Sequence, residues 1–313
     1  MGVTNFPNGI TTDTTLYKTF HSGSSVPATG ASGYNPGATF TLTSTALGQC
    51  PTWVNLGTPT SCLFVPVGPV NGYGVAVAGG PVTSAGGDTT ETISPSGQIR
   101  STDIAFVGHE TSNDTDSIVA AISANEAITI TASADPSTAH AYVYAALRSN
   151  CVPAWDIVAA GTREAIAGDT TAIPITVTGV QAGDIAFANY TATNDTDTIA
   201  KVVCTANTVT ITASADPVTD HTFSYVVLRP RGGFKPSHYV AYAGVHTTVG
   251  GAAAEAITVT GALATDIPIV IYNTTNDTDT ILKAVPTANT LTVTCSADPS
   301  TAHKLAYMLL RAY

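Results

Sequence analysis

Three Asn-Asp-Thr-Asp tetrapeptides, at 113–116, 194–197 and 276–279, are the densest clusters of chemically capable side chains in the chain. Carboxylates grouped in a loop supply the oxygens that calcium takes. The glycine and the bidentate glutamate of an EF-hand loop are missing, however, and Asn and Asp also start turns by bonding their own backbone. The pattern therefore predicts turns. His140, His221 and His303 each follow a proline by four residues. A metal site needs several convergent ligands, and neither His-x-His nor Cys-x-x-Cys spacing occurs, so these are read as polar contacts of a loop. Ser133, Asp135 and His140 have the residue types of a hydrolytic triad. The same trio stands at Ser214, Asp216, His221 and at Ser296, Asp298, His303. Repetition of a turn explains this better than three active sites on one chain. No G-x-S-x-G, phosphate-loop or dinucleotide fingerprint is present. The expectation is a protein without catalytic residues, cofactor or metal.

The five cysteines do not form a framework. Cys204 and Cys295 fall at different places in their surroundings, and Cys151 stands alone. Pairing strands across 57–60 puts Cys62 near Asn55, away from Cys50. Free thiols are expected, consistent with assembly in a reducing cytoplasm.

These clusters belong to something larger. The NDTD starts lie 81 and 82 residues apart, and the Ser-Ala-Asp-Pro turns and Arg148, Arg229 and Arg311 keep that spacing. A fixed period of this length means three copies of one folding unit. Each copy predicts a first strand at 75–79, 157–161 or 240–244, a second at 91–94, 173–178 or 255–260, and a third opening at Asp103, Asp184 or Asp266. A fourth strand follows NDTD. In the fifth, Ile128, Ile130 and Ala132 alternate with threonines, as do Val209, Ile211, Ala213 and Leu291, Val293, Cys295. Period-two alternation puts one face in a core and one in solvent; by this register Cys295 is a core residue replacing alanine. The sixth strand is 141–147, 222–228 or 304–310, with Tyr144, Tyr225 and Tyr307 equivalent. Six or seven short antiparallel strands per copy predict small immunoglobulin-like β-sandwiches. The linkers at 149–154 and 230–237 are short and the second is Pro/Gly-rich, which predicts a semi-rigid string of domains. The whole reads as all-β: a module over 1–70, then sandwich repeats at 71–150, 151–232 and 233–313.

The leading module gives strand signals at 37–43, 51–57 and 61–68, after a Gly/Ser/Pro-rich stretch expected to be a loop or arm. So short a meander cannot close a two-layer core and is expected to bury itself against a partner. The segments GYNPGATFTLTS and PTWVNLGTPTSCLFVPVG resemble a module of tailed-bacteriophage virion proteins, in which a G-x-x-F strand leads into an aromatic-x-Asn-x-Gly-Thr-x-x-Ser-x-x-Phe hairpin. Trp53, Asn55, Gly57, Thr58, Ser61 and Phe64 occupy that pattern, and VTNFPNGI resembles the start of such proteins. The resemblance implies a capsid decoration or head-fibre type of protein, often trimeric. It implies assembly contacts at Phe40, Trp53, Asn55, Gly57 and Phe64, a homotrimer, the major capsid protein as partner, and a place on the capsid exterior. The rival expectation is a tail fibre or spike that binds host-surface glycan or protein, with Trp155, Phe234, Tyr239 and Tyr242 either stacking on sugar or packing between domains.

Composition narrows the classes. Lysine and arginine number 11 against 22 acids, a net charge of −11. This argues against nucleic acid, whose phosphates need cations. No run approaches the ~20 apolar residues of a membrane span. The start shows no basic and apolar signal segment, and Phe6 stands where a myristoylation motif wants Ser or Thr. With 44% apolar and 11% charged residues the chain can bury cores.

Overall fold

The computed structural model describes residues 10–11, 18–45, 49–70, 72–83, 87–95, 99–111, 118–133, 140–165, 171–192, 198–214, 221–232, 234–249, 251–274, 280–296 and 303–313. The protein is all-β: a short N-terminal β module followed by three tandem β-sandwich repeats. The module is a five-stranded sheet of β1 (Ile10–Thr11), β2 (Lys18–Gly23), β3 (Tyr34–Leu42), β4 (Thr52–Asn55) and β5 (Phe64–Pro66), in chain order. β2 lies in the stretch expected to be an arm. It runs parallel to β3, and His21 stacks against Phe40 with ring centroids 5.5 Å apart.

Repeat 1 consists of β6 (Tyr73–Thr83), β7 (Thr90–Ile93), β8 (Ile104–Thr111), β9 (Ile118–Ala124), β10 (Ala127–Ala132) and β11 (Ala141–Ser149). Repeat 2 consists of β12 (Trp155–Ala165), β13 (Ala172–Thr176), β14 (Ile185–Ala192), β15 (Ile199–Thr205), β16 (Thr208–Ala213) and β17 (His221–Pro230). Repeat 3 consists of β18 (His238–Thr247), β19 (Ala254–Thr258), β20 (Ile267–Thr274), β21 (Ile281–Thr287), β22 (Thr290–Cys295) and β23 (Lys304–Ala312). In each, the second, fifth and fourth strands form an outer sheet, and the first, sixth and third form an inner one. An immunoglobulin sandwich keeps its first strand with the second, fifth and fourth; here that strand joins the other sheet. The expected alternation is present: β10, β16 and β22 all read half-buried then buried along their length, with Cys295 on the buried side. Asn207 and Asn289 take positive φ (57° and 62°) in the tight turns before β16 and β22, as does Glu126 before β10.

The repeats do not form a string. β12 pairs with β6 at Trp155–Val75 and with β18 at Ile157–His238, so the three inner sheets join in one nine-stranded assembly. Their inner faces share one core. Leu147, Leu228 and Leu310 stand at equivalent positions in it, each fully buried, with Phe106, Phe187 and Ile269 in a neighbouring layer. Contacts run round a closed ring: β8 of repeat 1 meets β15 of repeat 2, β14 meets β21 of repeat 3, and β20 meets β9 of repeat 1. The chain thus builds a pseudo-threefold body from its own repeats. Each sandwich also keeps a private core between its two sheets. The sixth strand serves both. Along β11, Tyr142, Tyr144 and Ala146 face the private core, while Val143, Ala145 and Leu147 face the axis. The linkers are bound to the body rather than free between domains: Ala154 N–H donates to Val75 O (3.0 Å) and Ser237 N–H to Ile157 O (2.9 Å).

Hydrogen bonds distinguish the joints of the ring. Asn189 on β14 donates to Val270 O (2.7 Å) and accepts from Val270 N–H (2.9 Å), clipping repeat 2 to repeat 3. Asn273 on β20 donates to Ala121 O (2.9 Å), clipping repeat 3 to repeat 1. The residues equivalent to Asn189 are Gly108 and Ile271, which cannot make this bond.

Candidate interaction surface

All five residues implied as assembly contacts lie inside the N-terminal module. Phe40, Trp53, Asn55 and Phe64 are at most 1% exposed. Asn55 pins the hairpin: its side-chain amide donates to Tyr34 O and Asn35 O (3.1 and 3.0 Å), and its Oδ1 accepts from Gly57 N–H and Leu63 N–H (2.9 and 2.8 Å). A Cβ on Gly57 would run into the backbone of Ser61–Leu63. Thr58 Oγ1 then accepts from Ser61 N–H at 3.1 Å, closing the turn. Phe64 meets Tyr34 edge-on at 5.1 Å and Phe40 at 5.9 Å. The Asn-x-Gly-Thr-x-x-Ser pattern is therefore a device for holding a tight hairpin over a small aromatic core. That core, completed by Leu42, Cys62, Val26 and Ala31, is the module's own.

Trp53 also links the module to the ring. Its Nε1–H donates to Cys50 O (2.8 Å), and its ring meets Tyr313 edge-on at 5.3 Å. Tyr313 in turn packs on Tyr239 at 5.1 Å, and its N–H bonds Ser237 O. Val70 N–H donates to Cys151 O (3.0 Å). The module thus docks at the end of the pseudo-axis where the linkers pass. Asymmetry at this end gives one docking orientation out of three. The equivalent positions Gly74, Asp156 and Tyr239 differ in every repeat. Asp156 is 5% exposed and receives Arg231 Nη2 at 2.9 Å. Burial pushes its carboxyl pKa up, against the pull of the Arg231 hydrogen bonds.

The opposite face of the module is open toward β2. The register aligns Phe20, Thr39, Val54 and Val65 in one row across four strands. Phe20 is 54% exposed, Thr39 and Val54 are half-buried, and Val65 at the far end of the row is buried. Leu56 and Val67 are exposed nearby in sequence. This row was not legible beforehand because β2 was not expected to be a strand.

The remaining candidates are mostly absorbed by packing. The NDTD segments and Asp135 lie outside the described residues. Ser133 ends just after β10. His140 and His303 are fully buried; His140 sits 5.3 Å from the His109 ring, and His303 is 5.5 Å from Tyr272. The side chain of His221 is outside the description. Among the described residues no group of His, Cys, Asp and Glu is arranged to hold a metal. None of the five cysteines forms a disulfide, and burial pushes the Cys204 thiol up to about 12. Of the aromatic candidates, Tyr239 is buried and Trp155 packs on the shared core, while Phe234 and Tyr242 lie 5.6 and 5.7 Å from the guanidinium groups of Arg229 and Arg311.

Sequence reasoning missed one repeated pair. Arg148, Arg229 and Arg311 each grip Asp103, Asp184 and Asp266 through two nitrogens, with Nε–Oδ1 distances of 2.9, 2.7 and 2.7 Å. Each carboxylate also accepts a backbone N–H three residues before it. The Asp hydrogen bonds raise all three arginine pKa values, holding the guanidinium groups charged. The constant separation of 45 residues in every copy was the available signal.

Comparison with known proteins finds no matching family model, curated protein or solved structure.

Proposed function

We propose that this chain is a structural protein of a tailed-phage virion that decorates or cements the capsid exterior, with no catalytic role. It attaches through the open face of the N-terminal module. The observation that carries the reading is the division of labour: a single small module sits on one end of a self-completed three-lobed body and leaves Phe20, Leu56 and Val67 exposed. The resemblance of that module to virion proteins supplies the partner, the major capsid protein. The three lobes already share a core within one chain, so any homotrimer forms through the module's Phe20 row rather than through the repeats. The host-attachment reading draws less support, because the four aromatics that would stack on sugar are occupied in packing.

The test is cosedimentation of purified protein with empty capsids of its phage, alongside light scattering of the free protein. Wild type is expected to pellet with capsids, and Phe20→Asp with Val54→Asp to stay in the supernatant while keeping its melting temperature. Failure of the folded wild type to pellet, or pelleting of the double variant equal to wild type, overturns the proposal.

A further inference from the structure

At the end of the body away from the module, the pseudo-axis opens into a cavity of about 140 Å³ lined by all three repeats. Its origin is a missing side chain. Along β8, β14 and β20, alternate residues face the axis: first Phe106, Phe187 and Ile269, then Gly108, Asn189 and Ile271. Asn189 is drawn aside by its two bonds to Val270, and Gly108 contributes nothing beyond backbone. A Cβ on Gly108 would stand 3.4 Å from the Phe187 ring. The axis is therefore filled at the Phe106 layer and empty one layer further out. Ile118, Ile199 and Ile281, equivalent in the three repeats, line the space with Phe187 and Ile269. Among the described lining residues Lys201 carries a permanent charge.

An engineered cavity of about 150 Å³ lined by Leu, Ile and Phe stays dry and binds benzene, so this volume suits an apolar fragment of roughly six to eight carbons. Ile118, Ile199, Ile281, Phe187 and Ile269 favour an aliphatic chain, while Asn189, Thr198 and Thr280 add polar groups to the wall and Lys201, among the described lining residues, favours an anionic head. We propose that the axial cavity binds a free medium-chain aliphatic carboxylate. The chain lies along the axis between Ile118, Ile199 and Ile281, and the carboxylate meets Lys201 Nζ. This inference does not rest on the virion reading and is tested without capsids.

The experiment titrates the full chain with octanoate, octanol and octylamine by calorimetry, and records NMR contacts from octanoate to isoleucine methyls. Octanoate is expected to bind one per chain, more tightly than octanol, with octylamine weakest. Contacts should fall on Ile118, Ile199 and Ile281. Lys201→Met is expected to weaken octanoate by about fivefold at most, the scale of a partly exposed ion pair, and to leave octanol unchanged. Gly108→Leu should fill the space and abolish binding of all three. Absence of octanoate binding to the folded wild type overturns the proposal, as do contacts to other isoleucines, equal affinity for octylamine, or undiminished binding by a folded Gly108→Leu variant.

Discussion

Leu228→Ala tests whether the repeats are one body. Leu228 is fully buried on β17 and lies in the core shared by all three inner sheets. Truncating a buried leucine costs about 2–5 kcal/mol, the spread reflecting how far the site collapses. We take about 3 kcal/mol from within that span. For a cooperative unit of about 150–250 residues, 1 kcal/mol shifts Tm by roughly 2–4 °C, so the ring should melt about 6–12 °C lower. An independent sandwich of about 60–100 residues would shift by roughly 12–24 °C for the same loss. Differential scanning calorimetry separates the cases by shape as well as size. A shared core requires one main endotherm for the repeats, displaced as a whole, with Leu147→Ala and Leu310→Ala giving similar displacements. Three endotherms, of which only one moves in each variant, would refute the shared-core argument whatever the value of Tm.

Other outcomes follow from the packing. Asp184→Ala strands the Arg229 guanidinium, which is 19% exposed, and should cost about 1.5–3 kcal/mol in denaturant unfolding, with Arg229→Ala similar. Asp156 has its folded-state pKa raised by burial, so its contribution is full below its unfolded value near 3.8 and is lost as pH rises through the folded value. Asp156→Asn should therefore remove a fall in stability with rising pH just above 3.8, seen by comparing unfolding of the two proteins across acid pH. Gly161→Ala puts a Cβ 2.8 Å from the Tyr225 hydroxyl and 3.0 Å from its Cζ; destabilisation of about 1–3 kcal/mol is expected, relieved only in part in the Gly161→Ala/Tyr225→Phe double variant because the ring carbons stay close. A disulfide-exchange reagent at neutral pH should label Cys204 only as fast as the protein unfolds, given its buried thiol.

Strands inside each repeat were legible because one face of β10, β16 and β22 is private core and the other open, which writes threonine and aliphatic residues in alternation. The ring was harder to read. Its evidence lies in the sixth strands, where Ala141–Leu147 is apolar without alternation and buried throughout. A run of that kind marks a strand covered on both faces, and a sandwich standing alone covers only one. The short linkers read as spacers because nothing in Pro230–Ser237 announces that its backbone bonds the neighbouring strand. The five residues implied as assembly contacts were legible as a group, but their direction was not: Asn55 and Gly57 fix a turn, and turn-fixing residues point inward as readily as outward. β2 escaped because its partner β3 is parallel and reached only after a ten-residue connection, so no hairpin signal joins them.

A ring made from three separate copies presents three identical tips, and any change to one is a change to all. Here the copies are threaded on a single chain, with Asn189 and Asn273 distinguishing two of the joints. Each tip is therefore separately encoded and sits at a known compass bearing relative to the module. A peptide grafted into the exposed Asn125-Glu126 turn between β9 and β10 alone would be displayed once per molecule and always on the same side, an addressability that an assembly of identical subunits lacks.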